Sequence, residues 1–337
     1  MRSLVSCLLM AAICFVMATK LGIAADAPLV IKFSHVVADG TPKGRGALKF
    51  KELVEKALPG RVTVEVYPNS QLYKDKEEIE ALQLGAVQML APSMSKFGPL
   101  GVREFEALDL PFIFKDEAGF KAIATGDAGK ALFAKLEAKG IKGLAFWDNG
   151  FEDMFANKPL RTPDDFKGLK MRIQSSKVLD AQMRAFGAIP QVMTFAEVYQ
   201  ALQSGVVDGT EGTPSNLLTQ NYADVQKYLM VSNHNHLSYA VIVNKTFWDG
   251  LPADVRDVLE RAMRESTDYV NGIAKAENEA AMAKIKAGGK VQVIELTDAE
   301  KAQWIKAVAP VYAAMAPRVG QDTIDMVTKA TGFELPK

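Results

Sequence analysis

The sequence predicts an α/β protein of two lobes, with a ligand cleft between them and one long helix spanning both. Three observations carry that prediction. Short β-rich segments alternate with segments of helical period, and the pattern starts again near residue 150, giving too many strands for one small sheet. Residues 253–287, ADVRDVLERAMRESTDYVNGIAKAENEAAMAKIKA, contain no proline and one glycine, Gly272, and set Val255, Leu259, Met263, Val270, Ile273 and Ala274 along one stripe. As a continuous helix this segment measures roughly 50 Å, wider than an ordinary domain, so it packs across both α/β sets; a kink near Gly272 is the alternative. Two lobes joined by chain crossings leave a cleft, and clefts between lobes are where small ligands bind.

Taken in order, MRSLVSCLLMAAICFVMATKLGIAADAP has Arg2, an apolar run from Leu4 to about Ala18 and small residues from Gly22 to Ala25. That is the layout of a cleaved secretory signal peptide over 1–25, with an uncleaved anchor as the alternative. LVSC at 4–7 resembles a lipoprotein box, but its apolar run follows Cys7 instead of preceding it. LVIKFSHVV (29–37) reads as a strand, RGALKFKELVEKAL as a helix ended by Pro59 and Gly60, and RVTVEVYP as a strand with Val62, Val64 and Val66 on one face. EEIEALQLGAVQMLAPS continues the alternation and argues for parallel pairing. ALDLPFIF (107–114) is a short apolar segment broken by Pro111. AGKALFAKLEAKG is a helix, and IKGLAFWDNG (141–150) a buried strand. In the second set, FEDMFANKPL and GLKMRIQ are strands around the turn RTPDDFKG, SSKVLDAQMRAFG is a helix and AIPQVM a strand. TFAEVYQALQSG is a helix opened by a Thr194–Glu197 capping box, and VVDGTEG and YAVIVN (239–244) are strands.

Composition narrows the function. Both cysteines, Cys7 and Cys14, lie in the leader, so the mature chain has no disulfide and is held by its core, which about 310 residues can supply. The full chain balances 40 basic against 40 acidic residues, and loss of Arg2 and Lys20 leaves it near −2. There is no basic patch for nucleic acid and, after the leader, no apolar stretch long enough to cross a membrane. Phosphate-loop, dinucleotide and nucleophile-elbow motifs are missing. The three histidines, His35, His234 and His236, lack the companions zinc needs, and are expected to hydrogen-bond at a cleft rim or strand end. Acid pairs such as Glu77–Glu78 and Asp164–Asp165 read as helix-capping or solvated charges. The expectation is a soluble exported protein with no catalytic residue, cofactor or metal.

Several stretches together, YPNSQLYKDKEEIEALQLGAVQM, SKFGPLG, LDLPFIF, DFKGLKMRI, FAEVYQALQSGVVDGTE and YAVIVNKTFWDGLP, resemble the solute-binding subunits of TRAP (tripartite ATP-independent periplasmic) transporters, nearest to the C4-dicarboxylate-binding, DctP-type branch. The resemblance runs from about Ile31 to the C-terminus. It implies a periplasmic-binding-protein-like fold that closes on a small organic acid and delivers it to TRAP membrane permease subunits. The implied ligand is a C4-dicarboxylate such as malate, succinate or fumarate. Carriage of a ligand to a sensory receptor kinase, or a different organic acid, is the alternative. A monomer is expected. Lobe I is read as 26–149 with about 238–270, and lobe II as 150–237 with about 271–337.

In GLKMRIQSS, Leu169, Met171 and Ile173 share one strand face and Arg172 the other, where a lone arginine reads first as solvated. The resemblance makes Arg172 the grip on the ligand carboxylate, since its planar fork matches a carboxylate with two parallel hydrogen bonds. Lys96 matches a basic cleft position, with a solvated loop lysine as the alternative. Phe195 matches an aromatic that covers the ligand, with a core role at a helix start as the alternative. His35 and Lys43 fall on the first-lobe rim, His236 is a further candidate from the histidine pair, and Asn149 is placed to donate an amide. Asn216 is a ligand candidate or a helix cap. Two positions depart from the family pattern: Glu152, where relatives carry lysine or arginine, and Gly212, where they carry asparagine. Glu152 would accept from an amine or hydroxyl, or point to solvent.

Overall fold

The computed structural model describes residues 27–334, so the signal peptide expected over 1–25 lies outside the described residues. Among the described residues nine strands form one continuous mixed sheet: β1 (Leu29–Ser34), β2 (Val62–Tyr67), β3 (Met89–Leu90), β4 (Ile141–Ala156), β5 (Lys170–Ile173), β6 (Ile189–Val192), β7 (Gly209–Gly212), β8 (Tyr228–Asn244) and β9 (Gln292–Glu295). Their order is β2-β1-β3-β8-β4-β7-β5-β6, with β9 added to β8. Pairing is parallel at the two ends, β2-β1-β3 and β7-β5-β6, as the strand–helix alternation predicts. It is antiparallel through the middle, where β8 meets β3 and β4, and β4 meets β7.

The antiparallel centre follows from two strands longer than the sequence pattern suggests. IKGLAFWDNG and FEDMFA are one 16-residue strand, and YAVIVN is the last third of a 17-residue strand that includes NHNHL. At about 3.3 Å per residue each runs some 50 Å, far beyond the usual strand. Ile141 pairs with Asn244 at one end and Ala156 with Tyr228 at the other, with register shifts between Gly143 and Ala145, Asp148 and Gly150, and Glu152 and Met154. Such shifts bend a strand and raise its twist, so β4 and β8 pass from one half of the molecule to the other without leaving the sheet.

The long helix, Ala253–Gly288, is continuous through Gly272 and ends on Gly289 in the left-handed conformation. It lies along β4 and is fixed there by three polar side chains. Thr267 accepts from Trp147 Nε1 at 2.9 Å. Asn271 accepts from the Asp148 amide at 2.8 Å and donates to the Phe146 carbonyl at 3.2 Å. Asn278 donates to the Asn149 carbonyl at 2.8 Å and accepts from the Ser215 amide at 3.0 Å. Its N-terminal half closes a core of Ile31, Phe33, Phe50, Val54, Trp147, Val241 and Val243, and its C-terminal end one of Phe155, Val198, Leu217 and Leu229. Two further helices, Asp298–Val319 and Gln321–Thr331, carry Trp304, Val308 and Ile324 into the largest core. There Tyr312 donates to the Pro111 carbonyl at 2.7 Å, and Arg318 makes a two-pronged pair with Glu106. No helix among the described residues is long and apolar enough to cross a membrane.

Candidate ligand site

A narrow cavity of about 30 Å³ lies where the two parallel ends of the sheet face each other. Each side chain reaches it for a local reason. Thr41 caps helix Pro42–Ala57 by accepting from the Gly44 amide, which turns the first-turn residue Lys43 inward; its Nζ donates to the Ala91 carbonyl at 3.0 Å and lies 3.6 Å above the Tyr239 ring. Strand alternation in β5 buries Met171 and Ile173 on one side and aims Arg172 at the cavity. The Arg172 Nε and Nη2 both donate to the Met193 carbonyl, at 3.2 and 2.9 Å, and no carboxylate among the described residues lies within ion-pair distance of it. The guanidinium is therefore oriented from one edge while its cation faces the cavity, where it acts on the Asp75 and Glu152 carboxyls without pairing with either. Phe195 sits at the start of a short 3₁₀ turn held by the Thr194–Glu197 capping box that the sequence predicts.

Contacts between the opposing walls close the cavity. The Asp75 carboxylate accepts the Phe195 amide, the Ser93 hydroxyl donates to Gln174 Oε1 at 2.6 Å, and Lys74 pairs with Glu197 at 3.5 Å on the outside.

Four carboxyls line this space: Asp75, Glu78, Glu152 and Glu211. Burial works against Asp75, yet the Lys96 ammonium at 3.2 Å, the Phe195 amide and Arg172 hold its carboxyl below the usual range. Burial pushes Glu78 up to about 8, with Asp75 adding to the effect and Lys43 and Lys96 opposing it. Burial raises Glu152 well above the carboxylate range, and Glu211 and Asp109 raise it further against the pull of Arg172. Lys43 is lowered to about 8 by burial, partly offset by Glu78 and Asp75.

Of the residues singled out in the sequence, the fold brings Arg172, Lys43, Phe195, Glu152, Gly212 and Asn216 to the cavity wall. Lys96 stands behind Asp75, against a separate surface recess, as a buried counter-ion. Asn149 is fully buried and donates to Thr213 Oγ1 at 2.9 Å and Asn216 Oδ1 at 3.4 Å, so it braces the wall. His35 is fully buried beside Lys43. His236 lies in an aromatic nest of Phe114, Phe120 and Phe151 with its Nε2 3.1 Å from Asp148, outside the cavity wall. Among the described residues no cluster of three or more histidine, cysteine or acidic side chains has the geometry to hold a metal ion.

This arrangement can hold a small anion and cover it. The model of the bacterial extracellular solute-binding protein family 7, DctP, matches residues 33–318. The chain belongs to this family. It is a solute-binding protein of the TRAP type and not an enzyme. The C4-dicarboxylate-binding periplasmic protein DctP of Rhodobacter capsulatus is 66% identical to it over 304 residues, 90% of this chain and 91% of that protein. A TRAP periplasmic solute-binding protein from Shewanella oneidensis, solved with bound succinate, superposes with a TM-score of 0.88 at 44% identity, covering 90% of this chain and all of the other. The corresponding protein of Pseudomonas aeruginosa PAO1, solved with bound L-malate, gives 0.83 at 45% identity over 85% of this chain and all of the other.

Within this family 7 protein, sequence reasoning passed over Asp75, Glu78, Glu211, Gln174 and Tyr239. Glu78 reads as a helix-start charge, yet it is 1% exposed and lines the cavity. Tyr239 was legible only as the first residue of an apolar strand. The available signal for Glu211 was the strand GTEG, in which a lone acid sits between small residues with no solvated neighbour.

Proposed function

We propose that this protein captures a C4-dicarboxylate such as malate, succinate or fumarate outside the cytoplasm and delivers it to the membrane permease of a TRAP transporter. The observation that carries the reading is Arg172, oriented by the Met193 carbonyl and facing an enclosed cavity with no protein carboxylate paired to it. In this reading Arg172 takes one ligand carboxylate and Lys43 stands across the cavity. Phe195 and Tyr239 cover the carbon chain, and Asn216 and Gln174 offer amides. Support for the ligand class comes from relatives that bind succinate, L-malate or C4-dicarboxylates in general.

The proposed hinge is the stretch where β4 and β8 shift register, Asp148–Gly150 opposite Leu237–Ser238. It would part lobe I, residues 26–149 with about 238–270, from lobe II, residues 150–237 with about 271–337. The working unit in this reading is a monomer.

A thermal-shift screen against small acids tests the proposal. At 100 times its dissociation constant the true ligand adds about 2.7 kcal/mol of stability. Succinate, malate or fumarate raises the melting point, and Arg172→Ala abolishes the rise. A shift confined to monocarboxylates or amino acids would sink the dicarboxylate reading.

A further inference from the structure

We propose that Glu152 meets the ligand as a neutral carboxylic acid and donates a hydrogen bond to its second carboxylate, so that capture of each dianion takes up one proton from solvent. The inference rests on the carboxylate-ligand reading above and goes beyond it by assigning a proton to the binding event.

The geometry that carries it is an imbalance of charge around one enclosed space. The wall holds two cations, Lys43 and Arg172, and four carboxyls, Asp75, Glu78, Glu152 and Glu211; Lys96, just behind the wall, is spent on Asp75. A dianion entering such a space adds to a surplus of negative charge that enclosure from water leaves uncompensated. Protonating a wall carboxyl relieves the surplus and also creates a donor where the ligand needs one.

Glu152 is the carboxyl with least holding it ionised. Asp75 has the Lys96 ammonium and the Phe195 amide. Glu211 rests one oxygen on His234 Nε2 at 3.2 Å, and that ring leans through Nδ1 on Ser232 at 2.8 Å. Glu78 faces Lys43. Glu152 accepts no hydrogen bond from any described residue. The charged groups facing it are Glu211 from β7, Asp109 from the 3₁₀ turn Arg103–Asp109, and Arg172 from β5, with Asp153 next to it on its own strand. From β8 its partner is Asn235, which is uncharged. Three acids against one arginine, in a residue 4% exposed, favour the protonated form, and the upward displacement of its titration agrees.

The step is a proton transfer from solvent to the Glu152 carboxylate as the walls close over the ligand, reversed on release. Where the wall is open to water Glu152 ionises as an ordinary carboxylate; where it is enclosed it is the acid.

Titration calorimetry with succinate at about pH 7.5, in phosphate and in Tris, counts the protons. The wild type takes up close to one per ligand, so its heat differs between the buffers, and its affinity falls as the pH rises, toward tenfold per unit. Glu152→Gln keeps a donor yet loses both the proton uptake and the pH dependence of whatever binding it retains. Glu78→Gln, whatever its affinity, still takes up a proton with the ligand. Wild-type heat that does not depend on buffer overturns the inference whatever the variants do, as does transfer of the effect to Glu78→Gln. Absence of any dicarboxylate binding would instead overturn the functional reading, and this inference with it.

Discussion

Arg172 is held from one edge by a backbone carbonyl, and that decides how it tolerates change. A lysine at 172 would keep a charge but neither the fork nor the anchor at Met193, so Arg172→Lys is expected to weaken dicarboxylate binding at least about 30-fold, on the order of 2 kcal/mol. His35 gives a prediction of another kind. Burial, with the Lys43 cation beside it, holds the imidazole down to about 3, against an ordinary value of 6.5. Below about pH 6.5 the unfolded chain therefore binds a proton that the folded one refuses, and stability is lost as the pH falls toward 3, by up to about 1.4 kcal/mol per unit. Urea unfolding at about pH 7 and pH 5 reads this directly; the loss between them is smaller in His35→Gln than in the wild type, and an equal loss would remove His35 as its source. At this scale Arg172 and Lys43 were legible through the family resemblance, since alternation alone reads a lone strand arginine as solvated and Lys43 falls in no alternating segment. The sequence was opaque for Glu78 and Glu211, because whether an acid is solvated or buried is set by parts of the chain distant in sequence.

At the scale of elements, the capping signal at Thr194 was legible, since a Thr-x-x-Glu pattern acts within four residues and its box is formed; the same pattern at Thr297, also formed, was passed over. The two central strands were read short for a physical reason. Register shifts break the two-residue alternation of β4 three times, and the NHNH stretch of β8 is polar although its histidines are buried. Gly150 marks one of these shifts. Its φ of 94° lies where side chains are strained, and a Cβ there would come within 2.6 Å of Asn278 Nδ2, the group that ties the long helix to the Asn149 carbonyl. Gly150→Ala is expected to cost about 1–3 kcal/mol and to loosen the helix from β4. Thermal melts measure the first and hydrogen exchange across residues 271–278 the second; unchanged melting would show that the strand absorbs the side chain.

At the scale of the molecule, the two walls touch through few groups, chiefly Asp75 with the Phe195 amide and Ser93 with Gln174. A closure held by so few contacts is readily tipped by a ligand that bridges it. Small-angle scattering is expected to give a smaller radius of gyration with succinate than without, and Asp75→Ala, which removes a wall-to-wall acceptor, to need more succinate for the same contraction. A radius indifferent to ligand would mean a rigid molecule.

The sheet order carries one more consequence, for the nascent chain. Met89 of β3 finds its antiparallel partner in Val243, and the core around Phe33 and Phe50 is completed by Val241, Val243 and Leu259. A polypeptide synthesised only as far as residue 225 thus has three strands of one half and no lid for their apolar faces, and closing so distant a contact is slow. Translation runs through two-thirds of the chain before either half is complete. Threaded topology of this kind leaves both cores open to solvent while the polypeptide is still being made.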